Sequence, residues 1–160
     1  MGIIKEGALS SEDKKVVFDL WNNEYPVNLG FGTISDMDNY LDTLPNLLYY
    51  LLKNDKQQIE GWAMTFSAEG EKWFAITISK NNQKHGKGTA LLNTLKNDNE
   101  SLNGWVIDHE NVLKKNGQIY QSPLRFYEKS DFRVFPEIRL ELPILSAVKI
   151  RWSKKDGSLY

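Results

Sequence analysis

Apolar and polar positions change period several times along this chain, and each change marks an element. Residues 2–8 form a short mixed run that reads as a first strand. Ser10, with Asp13 three positions on, has the form of a capping box, and Val16, Val17, Leu20 and Trp21 then recur at helical spacing until Pro26. A loop with Gly30 and Gly32 follows. Ser35 and Asp38 suggest a second helix start, with Met37, Tyr40, Leu41 and Leu44 at i, i+3, i+4 and i+7 before Pro45. Three apolar runs come next, at 47–52, 59–66 and 73–78, each closed by turn-forming residues such as Asn54-Asp55, Gly70 and Asn81-Asn82. Runs of that length between turns predict strands joined by hairpins.

Helical spacing returns at 88–96, with Leu91, Leu92 and Leu95 on one side. Trp105, Val106 and Ile107 make a short strand, and Ser122-Pro123 is a favourable helix start, predicting a helix to about Ser130. The last part alternates most clearly. Phe132, Val134, Ile138, Leu140 and Leu142 interleave with Arg133, Glu137, Arg139 and Glu141, and Val148, Ile150 and Trp152 interleave with Ala147, Lys149 and Arg151. Both read as half-buried strands. The implied class is α/β with α+β mixing: one central mixed, mostly antiparallel sheet of about seven strands, flanked by about four helices. No repeat or linker divides residues 1–160, so one domain is expected, with a polar tail from Ser153 that frays.

Composition narrows the chemistry. With 160 residues, 41% hydrophobic and 26% charged, the chain can bury a substantial core. A net charge of −1 argues against a general nucleic-acid binder. The absence of cysteine removes disulfides, thiolate metal sites and cysteine nucleophiles, and two histidines, His85 and His109, do not make a multi-histidine metal site. No apolar run reaches the roughly 20 residues of a membrane helix and no signal peptide is visible, so a cytoplasmic protein away from membranes is expected.

The segment 80–89 lies between a predicted strand and a predicted helix and reads Lys80-Asn81-Asn82-Gln83-Lys84-His85-Gly86-Lys87-Gly88-Thr89. A helix start offers unpaired N–H groups and partial positive charge to a phosphate, and glycines let the backbone come close. A Walker loop fails, because Asn81 stands where its first glycine belongs and Gly88 where Ser or Thr belongs. A dinucleotide fingerprint fails at Leu91. The pattern Gln/Arg-x-x-Gly-x-Gly/Ala is met by Gln83, Gly86 and Gly88.

These residues resemble the GNAT superfamily of acyl-CoA-dependent N-acyltransferases. The resemblance extends to Phe126-Tyr127-Glu128-Lys129-Ser130-Asp131-Phe132, which is similar to that family's Phe-Tyr-Glu-Lys-x-Gly-Phe segment, and it covers roughly residues 47–152 in order and spacing. It implies acetyl-CoA as co-substrate, held by Gln83, Lys84, His85, Gly86, Lys87, Gly88 and Thr89 at its diphosphate. It also implies Ile76, Thr77 and Ile78 along the pantetheine arm, where the strand splays from its neighbour. Tyr127 inherits the role of a general acid on the CoA thiolate. Two positions depart: Asp131 stands in place of glycine, and Tyr120 in place of an asparagine that helps hold the CoA arm.

The reaction implied is direct acetyl transfer to an amine, with neither metal nor covalent intermediate; no Gly-x-Ser-x-Gly elbow is present. A lysine-like amine is neutral in only about one molecule in 2,500 at pH 7, so a base would help. The strand at 72–79 offers no central carboxylate, which leaves Asp108 and His109, with Glu110, just after the strand at 105–107; Glu60 is a weaker choice. The same residues also read as a solvated strand end. Glu24, Asp36, Asp38 and Asp42, with Trp21, Tyr25, Phe31 and Tyr40, would form an acidic, aromatic rim for a cationic acceptor. Two other readings stay open: a non-catalytic acyl-CoA-binding module of the same fold, and a nucleotide-phosphate binder. An exposed edge in the 132–152 hairpin could pair two chains into a homodimer.

Overall fold

The computed structural model describes residues 2–79 and 86–157. Its elements follow the order expected: β1 (Gly2–Glu6), α1 (Ser11–Glu24), a 3-10 turn (Val27–Leu29), α2 (Ile34–Leu41), β2 (Leu48–Lys53), β3 (Ile59–Ala68) and β4 (Glu71–Ile78). Then come α3 (Lys87–Asp98), β5 (Ser101–Val106), α4 (Leu124–Lys129), β6 (Arg133–Leu142), β7 (Leu145–Ser153) and a one-turn α5 (Lys154–Gly157). The seven strands form one sheet in the order β1-β2-β3-β4-β5-β7-β6. Neighbours are antiparallel except β4 and β5, which run parallel. The long 79–100 connection makes that exception feasible, because a parallel pair needs a crossover and α3 provides it.

Local chemistry sets the element ends. Ser10 Oγ accepts from the Asp13 amide at 3.1 Å and opens α1. The second helix starts differently from expectation: Thr33 Oγ1, not Ser35, caps it by accepting from the Asp36 amide at 3.1 Å. Glu69 and Gly70 both have positive φ (53° and 76°), which suits a tight turn between β3 and β4. Asp131 sits left-handed at φ 69°, so this position demands the conformation that glycine adopts most easily.

Alternation places residues on two cores. On one face Leu91, Leu92 and Leu95 of α3 pack with Tyr50, Ala63 and Phe74 of the sheet and with Tyr127 and Phe132 of the α4 segment. On the other, Val17, Leu20 and Trp21 of α1 and Met37 and Leu41 of α2 cover Leu51, Trp62 and Met64. Three expectations shift. The fifth strand begins earlier, at Ser101 rather than Trp105. Residues 154–157 form a helical turn where fraying was expected. In β6 the register slips between Phe135 and Arg139, so Ile138 is left outside at 41% exposure. Pro136 lies in that irregularity on an edge strand, where a missing N–H costs no ladder bond.

Candidate functional site

The parallel seam is where the sheet opens. Only Trp73 of β4 and Asn103 of β5 pair across it. Fully buried Asn103 donates from its side chain to the Lys72 carbonyl at 3.0 Å and accepts from Arg151 Nη1 at 3.1 Å. Arg151 Nη1 also donates to Glu71 Oε1 at 3.0 Å, and Lys149 Nζ lies 3.4 Å from Glu71 Oε2. These charges fasten β4, β5 and β7 together at one end of the seam. Beyond it Ile76 of β4 and Gly104, Trp105 and Val106 of β5 line a cavity of about 500 Å³, within the roughly 300–1,000 Å³ range of small-molecule sites.

Gly104 makes room for one wall of this cleft. A Cβ there would come within 3.0 Å of Phe74 Cε1, so the absent side chain lets the Phe74 ring lie against β5. That ring meets Tyr127 edge-on at 5.7 Å between centroids, and Tyr127 lines the cavity. The anchor of Tyr127 is the end of α4. The Phe132 amide bonds back to the Tyr127 carbonyl at 3.1 Å, and Lys96 Nζ donates to the Ser130 carbonyl at 2.5 Å while lying over the Phe132 and Trp152 rings.

The start of α3 adjoins the far end of β4. Gly86 is left-handed at φ 75° with nothing within 4 Å of a built Cβ, and the first helical bond runs from the Ala90 amide to its carbonyl. The amides of Lys87, Gly88 and Thr89 therefore precede the helical ladder, as donors suited to an anion. Gly88 sits against Phe126 (3.4 Å) and Ile78 (3.8 Å). Lys87 Nζ pairs with Glu60 Oε1 at 2.8 Å, tying this helix start to β3. Thr77 is buried, and its Oγ1 makes no hydrogen bond of good geometry among the described residues. Gln83, Lys84 and His85 lie outside the described residues.

Aromatic side chains dominate the cavity. Trp21 and Tyr25 come from α1, and Phe31 and Tyr40 from the loop and helix that follow. Phe66, Trp73 and Trp105 come from the sheet, with Trp73 and Trp105 stacked at 5.3 Å. The α4 side adds Tyr127 and, from the loop before it, Tyr120. Tyr25 donates from its hydroxyl to the Ile76 carbonyl at 3.4 Å. Burial pushes the hydroxyls of Tyr25, Tyr120 and Tyr127 up from the usual tyrosine range, and the proximity of the three reinforces the effect at Tyr127. All three stay neutral at ordinary pH and so keep a proton to donate.

Among the described residues that line the cavity, none is Asp, Glu, Lys, Arg or His. The expected base is not brought there. Asp108 is engaged by Arg139 through two hydrogen bonds of 2.8 and 3.0 Å, which hold its carboxyl below the usual range, and His109 Nδ1 accepts from the Asn111 amide at 3.1 Å. The aromatic half of the expected rim does line the cavity, but its acids do not. Glu24 pairs with Lys114 at 2.9 Å, and Asp38 with Lys14 at 3.2 Å. The Glu24 pair has a positioning effect. With the Val27 amide on the Leu113 carbonyl at 2.8 Å, it ties the 112–120 loop, which carries Tyr120, to the end of α1.

Sequence reasoning missed Gly104, Phe74 and Asn103. The signal for Gly104 was present, since an isolated glycine inside a strand marks close approach of another group. Asn103 carried no such signal, because its partners come from Lys72 and Arg151, far away in the chain.

No family model matches the sequence, and no curated protein matches it significantly. Solved structures do. A GNAT superfamily phosphinothricin acetyltransferase from Sinorhizobium meliloti in complex with acetyl-CoA superposes with a TM-score of 0.65 at 13% identity, covering 96% of this chain and 89% of that one. Spermidine N-acetyltransferase from Vibrio cholerae, in complex with CoA and spermine, gives 0.67 at 12% identity, with 96% of each chain covered. Aminoglycoside acetyltransferase AAC(6')-Ib with coenzyme A gives 0.64 at 16% identity, with 99% and 98% covered. The likeness is one of fold over nearly the whole chain: the seven-stranded sheet with its flanking helices is the GNAT fold.

Proposed function

We propose that this protein is an N-acetyltransferase that moves an acetyl group from acetyl-CoA directly to an amine. One observation carries the reading: β4 and β5 pair at Trp73–Asn103 alone and then part around a cavity walled by Tyr127, beside a glycine-bounded helix start. The likeness to acetyltransferases solved with CoA supports it. The residues present suit such a ligand. The amides at 87–89 would receive its diphosphate, and the segment Ile76 to Ile78, freed from pairing with β5, would take the pantetheine arm.

Acetyl-CoA supplies the thioester carbonyl carbon, to which the amine nitrogen bonds as the carbon–sulfur bond breaks. The Tyr127 hydroxyl, held neutral by burial, donates to the departing sulfur. The proton that the amine loses restores the Tyr127 hydroxyl, which has given its own to the thiolate, so CoA leaves as the free thiol. The aromatic walls exclude water that would otherwise hydrolyse the thioester.

The test is binding followed by turnover. Acetyl-CoA at a hundred times its Kd adds about 2.7 kcal/mol of stability. For a domain of this size that corresponds to roughly 5–10 °C in Tm, and Gly88→Glu abolishes it. Thiol release with an amine panel then reports turnover. The uncharged cavity favours one second reading, a non-catalytic acyl-CoA-binding module. That module would bind acetyl-CoA and release thiol no faster than its Tyr127→Phe variant.

A further inference from the structure

We infer that the acceptor is a small aromatic amine taken up in its uncharged form; this rests on the acetyl-transfer reading above and names the substrate class of the same site. Three features converge on it. The first is the composition of the walls. Trp21 lies edge-on to Tyr25 at 4.7 Å and within 5.0 Å and 6.1 Å of Phe31 and Tyr40, so the α1–α2 side of the cavity is a continuous aromatic surface. The sheet side presents the stacked Trp73–Trp105 pair. Aromatic faces and edges of this kind favour a flat ring over a flexible polar chain.

The second feature is charge. No carboxylate stands among the described lining residues, and four of the candidate acids are engaged elsewhere: Glu24 by Lys114, Asp38 by Lys14, Asp108 by Arg139 and Glu60 by Lys87. A cation entering the cavity would shed water and find no counter-charge among the described lining residues. Desolvation without a partner disfavours the charged form of an amine and lowers its pKa. The cavity therefore selects amines that are already neutral, or that become so cheaply, and it needs no carboxylate base to make them reactive. Polar guidance comes from neutral groups, the Tyr25 hydroxyl and the Asn28 side chain.

The third feature is the mouth. Leu142 and Ile144, at the β6–β7 turn, line the cavity and are 49% and 51% exposed. Exposed apolar side chains at the rim of a pocket suit an apolar guest and repel a strongly hydrated one.

The experiment measures kcat/KM by thiol release, with acetyl-CoA saturating, for aniline, phenethylamine, spermidine and an aminoglycoside. Quenching of tryptophan fluorescence by each amine is measured alongside in the presence of CoA. The aromatic amines are expected to exceed spermidine on the order of a hundredfold at neutral pH. The aniline rate should be flat from pH 6.5 to 8.5, whereas the phenethylamine rate should rise about tenfold per pH unit, tracking its neutral fraction. Tyr40→Glu, at a partly exposed helical position that tolerates a polar side chain, should shift the preference toward spermidine by at least about tenfold.

A preference for spermidine or the aminoglycoside overturns this inference and leaves acetyl transfer standing. Saturable quenching by aromatic amines without any thiol release upholds the site's preference and overturns acetyl transfer. If aromatic amines neither quench nor react, the inference falls whatever the other amines do.

Discussion

The two ends of β4 obey opposite rules. At Glu71–Trp73 the strand is held to β5 and β7 by charges and a buried amide: Glu71 with Arg151 and Lys149, and Asn103 with Lys72 and Arg151. A few residues on, at Ile76, the strands have parted and the space between them is lined by rings, with no charged side chain among the described lining residues. Polar groups concentrate where the sheet must stay closed, because each buried donor and acceptor there finds a directional partner. Where the sheet must stay open, no charged side chain stands among the described lining residues, because an unpaired charge would draw in water or collapse onto the nearest partner. The cavity is thus a gap maintained by a seam, and the two can be perturbed separately.

The largest effect belongs to the open end. Tyr127→Phe should lower kcat by about 10²–10⁴-fold, the usual range for a lost proton donor, with the KM for acetyl-CoA little changed. A comparable rise in KM instead would assign Tyr127 to binding. Next comes the seam. Asn103→Leu removes an acceptor from Arg151 and a donor from Lys72 inside the core, and should cost about 2–3 kcal/mol, or roughly 5–10 °C in Tm by calorimetry. Acetyl-CoA binding should weaken with it, since the fork of the strands loses its fixed point. An unchanged Kd in a destabilised variant would separate the seam from the cavity.

Gly104→Ala probes the boundary between them. A Cβ 3.0 Å from the Phe74 ring must push that ring toward Tyr127, costing about 1–2 kcal/mol by overpacking and lowering turnover more than stability. The smallest effect is outside both regions. Asp108→Asn breaks a partly exposed pair with Arg139 and should change stability by under about 1 kcal/mol near neutral pH, with turnover intact. The folded carboxyl of Asp108 is held below its unfolded value, so its contribution is full above about pH 4 and is lost as pH falls through the lower folded value. Urea midpoints of the two proteins should therefore converge in acid. A loss of activity in Asp108→Asn at neutral pH would restore this residue to the chemistry.

Much of the fold was legible because its causes are local. Ser10 caps α1 across three residues, hairpins close at Glu69-Gly70, and apolar spacing marks α3. The second cap was misplaced because Ser35 and Thr33 both suit the role by type; the chain uses the residue that stands just ahead of Ile34 in extended conformation. Ile138 was assigned inward because alternation assumes an unbroken register, and the slip around Pro136 removes that assumption. In the site, the Gly86–Gly88 spacing and Tyr127 were readable as motifs. Which acids face the cavity was not readable, because residue type does not reveal whether a carboxylate already has a partner.

What the sequence by itself determined is the list of elements, their order, and a left-handed position at Asp131 that closes α4, all consequences of interactions a few residues long. The tertiary structure alone decided where the sheet divides, which rings converge on that division, and which carboxylates are already engaged. Those outcomes depend on contacts such as Arg151 with Glu71 and Lys114 with Glu24, between groups far apart in the chain. Their energies exist only once the chain has folded, so no short window of residues can encode them.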